Sequence, residues 1–157
     1  MSNEYMNEQD APSAKKAEVF VTIGNKRYKA LNAKNCEVNA NLSSKEIAVL
    51  GKMIKGRKVT GMTIKGKMTV HKCTEIFDDI VTQYKNTGNL PTFDLQISNY
   101  DETTCMGRST KIYNDCVIDG DVLLSMFDAE GEFIEQTIEF YASDYSRPEK
   151  YKNPAYM

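Results

Sequence analysis

The chain has 157 residues, 41% of them hydrophobic, which suits one domain with its own packed core. A net charge of −2 excludes a polycation that would bind nucleic acid over its whole surface. No apolar run reaches the ~20 residues needed to span a bilayer, and the polar start MSNEYMNEQDAPSAKK lacks a signal-peptide core, so the chain is expected in the cytoplasm of the producing cell until that cell releases it, with no membrane binding as a free subunit.

In chain order, residues 1–16 read as a flexible arm. EVFVTI (18–23) has strong β character and meets Gly24-Asn25, a two-residue hairpin turn, before KRYKAL. In CEVNANL, Cys36, Val38, Ala40 and Leu42 alternate with polar residues, the period of a half-buried strand. The segment GKMIKGRKVTGMTIKGKMTVHK spaces Gly51, Gly56, Gly61 and Gly66 at intervals of five. Met62, Ile64, Met68 and Val70 share one face of a strand, and Gly66 falls in the apolar register, where a bulge or a close contact is expected.

One segment is helical. Thr74 is expected to cap it, and Ile76, Phe77, Ile80, Val81 and Tyr84 form one apolar stripe ended by Gly88 and Pro91. Strand signals resume at Phe93, Leu95 and Ile97, then after the polar loop NYDETTCMG at RSTKIYNDCVI. DVLLSMF (121–127) and EFIEQTIEFYAS are expected to pair as a hairpin about the DAEG turn, and residues 149–157 to form an extended arm. The fold class is therefore mainly β (α+β): an antiparallel sandwich or barrel over residues 17–148 with one flanking α-helix.

The chemistry is sparse. GMTIKGKM matches a phosphate loop up to Lys67, but Met68 stands where Ser or Thr would hold magnesium, and the stretch reads as a strand rather than a strand–loop–helix. Asp115, Asp119, Gly120 and Asp121 resemble a calcium loop, yet Val117 and Met126 occupy ligand positions. Cys36, Cys73, Cys105 and Cys116 are too dispersed for zinc and read as reduced, buried hydrophobes. His71 is the single histidine. No enzyme, metal site or cofactor is expected.

Charge layout says more. Between Gly51 and Cys73 stand Lys52, Lys55, Arg57, Lys58, Lys65, Lys67 and Lys72 with no acid; between Tyr113 and Ser146 stand nine acids, among them Asp119, Asp121, Glu130 and Glu132, with no base. In one reading these are solvated faces, with lysines guarding a β edge. In another, the basic segment of one copy meets the acidic hairpin of the next, a head-to-tail contact that closes into rings or extends as filaments. A third reading, a nucleic-acid-binding β-barrel using the basic strand 51–73, lacks aromatic side chains beside the lysines.

LGKMIKGRKVTGMTIKGKMTVHKCTEIF, residues 50 to 77, resembles the tail tube proteins of contractile phage-like particles, in particular the PBSX-type (XkdM-like) family. The matching features are Leu50-Gly51, Lys55-Gly56, Thr60-Gly61, Gly66 and the helix from Glu75, joined by IEFYASDYSRPE near the end. The resemblance implies a structural subunit: six copies in a ring, and rings stacked into a hollow tube inside a contractile sheath. That tube would pass DNA as cargo in a phage, or ions and other cargo in a phage-tail-like bacteriocin, with sheath, baseplate and tape measure proteins as partners. It also implies that the spaced glycines belong to a long β-hairpin reaching a neighbour, with Lys52, Lys55, Gly56, Arg57, Lys58 and Gly61 at the contact and Asp119, Asp121, Glu130 and Glu132 as candidate partners.

Overall fold

The computed structural model describes residue 6 and residues 8–30 and 32–153. Alternation in the sequence becomes strand after strand: β1 (Ala17–Ile23), β2 (Lys26–Lys29), β3 (Ala33–Ile47), β4 (Gly56–His71), then helix α1 (Ile76–Thr87), β5 (Phe93–Tyr100), β6 (Arg108–Ile118), β7 (Glu135–Ala142) and β8 (Asp144–Glu149). Every pairing is antiparallel, in the order β2-β1-β5-β6-β7-β4-β3, with β8 also paired to β6. Strand β6 is the corner of the fold. Its first part pairs with β5 and β8, and its last two residues, Val117 and Ile118, pair with β7. The result is the expected mainly β architecture with one helix.

The core lies between the sheet's folded halves. Phe93, Leu95, Met68, Ile138, Phe140 and Cys116 are sealed from water, and α1 closes one side with Phe77 and Ile80. Phe93 meets Phe77 and Phe140 edge-on at ring distances of 6.1 and 5.6 Å. Each such side chain contributes ~1.5–3 kcal/mol of burial, against chain entropy. The β1–β2 turn has Gly24 at φ +61°, the positive φ that a two-residue hairpin requires.

Four expectations are corrected. Thr74 does not cap α1: Glu75 holds the N-cap position with no side-chain cap bond, while the other end closes as expected, with Gly88 at φ +78° donating its N–H to the Tyr84 carbonyl. DVLLSMF is not a strand, because β6 and β7 pair only at Val117 and Ile118; residues 119–134 form one long connection. Cys73 and Cys105 are exposed rather than buried. Burial pushes the Cys36 thiol up to about 11 and the Cys116 thiol up to about 12, so both stay neutral at physiological pH. Glu149, expected to begin the C-terminal arm, instead ends β8, which with Pro148 in it pairs with β6 and leaves its other edge open, where proline is tolerated.

Of the expected N-terminal arm, residues 1–5 and 7 lie outside the described residues, as do residues 154–157 of the expected C-terminal arm. The described part of the first segment is tied down. Buried Asp10 accepts the Cys105 N–H at 3.3 Å, and Asp101 accepts the Ser13 N–H at 3.0 Å. No described helix is long and apolar enough to cross a membrane.

Candidate assembly surface

The pairing of β4 with β7 runs only from Ile64 to His71, whereas its pairing with β3 continues out to Gly56–Ile47. Residues 41–47 and 56–63 therefore form a two-stranded ribbon that leaves the core. Such a ribbon is marginal alone in water and needs a surface to lie on. Cross-strand register puts Leu42 opposite Met62 and Ser44 opposite Val59, leaving Thr60 unpaired as a bulge. The bulge keeps Val59 on the same face as Leu42 and Met62. That face continues the apolar register of Ile64, Gly66 and Met68, but with Leu42, Val59 and Met62 each more than half exposed.

The apex, residues 48–55, is more apolar still. Gly51 turns the chain at φ +81° and Lys52 donates its N–H to the Val49 carbonyl. Leu50 and Met53 are fully exposed and Ile54 is 78% exposed. Single exposed apolar residues are ordinary, but a run of them on a projecting ribbon marks an interaction site. Lys52, Lys55, Gly56, Arg57, Lys58 and Gly61 all lie on this ribbon and all are exposed. Arg57 is held by Ser44 Oγ at 3.0 Å and by Glu46 at 3.5 Å. On the other face Lys58 stands directly opposite Lys45, an unfavourable pair that an incoming carboxylate would relieve.

The acidic set sits on the connection between β6 and β7. Asp119 donates its N–H to the Glu139 carbonyl, and Asp121, Glu130 and Glu132 follow on the exposed loop. Lys72 fixes the loop. Its ammonium, in a side chain only 10% exposed, binds Asp78 of α1 at 3.0 Å and donates to the carbonyls of Leu123 and Leu124. Asp128 folds the tip by accepting the Glu130 N–H at 3.0 Å. The loop exposes Leu124, Met126, Phe127 and Phe133, with Phe127 89% exposed. Among the described residues, no ion pair joins the ribbon bases to these acids within one subunit. The sequence reading found the charges but missed the apolar apex and the role of Lys72. Runs such as LGKMI and VLLSMF were the available signal, because exposed apolar runs are absent from ordinary loops.

The rest of the basic strand has acidic or neutral cross-strand neighbours. Lys67 lies between Glu37 and Glu139, and Lys65 between Asn39 and Tyr141, so this face is not a polycationic track. GMTIKGKM is extended strand inside β4, with no helix N-terminus for a phosphate. Among the described residues, no three His, Cys, Asp or Glu side chains lie together as a metal site.

A family model described as phage tail tube protein matches residues 4–149. The phage-like element PBSX protein XkdM of Bacillus subtilis (strain 168) is 28% identical over 117 residues, covering 74% of this chain and 79% of that protein. Among solved structures, a chain of the anti-feeding prophage baseplate matches with a TM-score of 0.63 at 10% identity, covering 84% of this chain and 91% of that one. A chain of the PVC sheath-tube complex of an extracellular contractile injection system matches with a TM-score of 0.56 at 12% identity, covering 82% and 86%. At these identities the two structures establish a shared fold.

Proposed function

Because the chain belongs to the phage tail tube protein family, we propose that six copies of this tube subunit close into a ring, that rings stack into a hollow tube, and that the β3–β4 ribbon carries the contact between copies. The observation behind this reading is the ribbon itself: a well-packed domain extends two strands into solvent with an apolar apex and an apolar stripe. Long open backbone edges on β3, and on β4 from Gly56 to Thr63, offer hydrogen bonds to an added strand.

Charge sets direction in this scheme. Lys52, Lys55, Arg57 and Lys58, with Gly56 and Gly61 allowing close backbone approach, meet Asp119, Asp121, Glu130 and Glu132 of the next copy. Exposed ion pairs contribute only ~0–1 kcal/mol each, so they select register and polarity while apolar burial supplies affinity. The tube, made in the cytoplasm and built into the tail of a phage-like particle, engages sheath, baseplate and tape measure proteins. Its bore passes DNA or smaller cargo, and the subunit's work is structural rather than catalytic.

Reversing two charges tests the contact. K55E/R57E is expected to retain the circular dichroism spectrum of the wild type but to sediment as single chains where the wild type forms large assemblies. Assembly at the wild-type rate would remove the ribbon bases from the contact.

A further inference from the structure

The connection between β6 and β7 does more than carry acids. With residues 72–75, the connection between β4 and α1, it encloses an open groove of about 500 Å³. Leu124, Met126, Phe127 and Ile134 form its apolar wall, Cys73 and Thr74 its opposite side, and the Lys72 ammonium lies in its floor, already committed to Asp78 and two loop carbonyls. Three of the wall residues are uncovered in the subunit, Leu124 at 57%, Met126 at 49% and Phe127 at 89% exposure. Glu75 lines the groove, and the loop that supplies its apolar residues also carries Asp121 and Asp128.

We infer that this groove is the socket for the ribbon apex of a second copy, with Leu50, Met53 and Ile54 seated in the apolar wall and the apex lysines toward Glu75 and the acids of the loop. The inference rests on the tube reading above and gives it a specific address. Two independent properties match. The apex presents exposed apolar side chains on a turn closed by Gly51 and the Lys52 N–H, and the socket presents Leu124, Met126 and Phe127, each about half exposed or more. The apex carries bases with no acid between Gly51 and Cys73, and the loop carries acids with no base. A subunit holds both halves of the contact at different places, so the contact is head to tail and propagates. By holding Leu123 and Leu124, Lys72 acts as a positioning residue that keeps the wall in place before docking.

Cys73 supplies a native probe because it is exposed and lines the socket. The variant M53C/C105S places a thiol on the apex and removes the other exposed cysteine. Treated with diamide under assembly conditions, it is expected to give a ladder of covalent dimers, trimers and higher species on a non-reducing gel. The same variant carrying C73S is expected to give none. Tubes in micrographs without a ladder, or a product that stops at dimer and survives C73S, would overturn the socket while leaving the tube reading intact. Single chains with neither tubes nor ladder would overturn both.

Discussion

At Gly66 two strands and a ring compete for the volume of one methyl group. A Cβ there would stand 2.4 Å from Phe140 Cζ and 3.0 Å from a Val38 methyl. Phe140 is fully enclosed and packed on Phe93, so the ring has nowhere to swing. G66A is therefore expected to destabilise by ~1–3 kcal/mol, the usual cost of overpacking a core, measured by urea unfolding. Asp101 is the residue through which acid acts on the N-terminal segment. The Thr103 hydroxyl, then the amides of Thr103 and Ser13, hold its carboxyl below the usual range. A depressed carboxylate contributes stability above its ordinary titration range and loses it as pH falls through the lowered value. Thermal scans from about pH 7 to about pH 3 should show D101N less stable than wild type at neutral pH, with the difference closing in acid.

The elements differ in how much of their form is local. β1 and β5 alternate because one face of each lies on the core, and the sequence reports this directly, whereas β6 buries Thr110, Tyr113 and Cys116 at intervals of three; α1 likewise betrays itself by its stripe. What eluded the sequence reading was set elsewhere. DVLLSMF has the apolar content of a strand, but its partner is not β7. β8 contains Pro148 and looks like a tail, yet an open edge accommodates it. Thr74 looked like a cap, but Lys72 is committed to the Leu123 and Leu124 carbonyls, and residues 72–75 run as an irregular connection into α1. The ribbon's charges were legible because like charges cluster in sequence, whereas its apolar apex resembled ordinary core. The ribbon is separable from the fold, since Asn41 and Thr63 face each other across the strands. Replacing residues 42–62 by Asn-Gly is expected to leave the melting temperature near wild type and to abolish assembly, read by calorimetry and sedimentation. A large loss of melting temperature would mean that the ribbon supports the core.

For the whole molecule, the edge strands carry the consequence. β3 has 15 residues with one side unpaired, which in a solitary protein invites aggregation. A tube subunit uses such an edge instead of guarding it. Closure decides whether that edge is safe, because a head-to-tail contact that completes a ring leaves no free end within it. In the proposed contact, bases on the ribbon and acids on the 119–134 loop would discriminate a correct neighbour from a reversed one. The central claim is that the working object is the assembly and its bore, with the ribbon bridging copies. Electron micrographs of the purified wild-type protein, concentrated at low and high salt, test it most directly. Hollow rings or tubes of one inner diameter are the expected result; a folded protein that remains a field of single particles at every concentration and salt contradicts it.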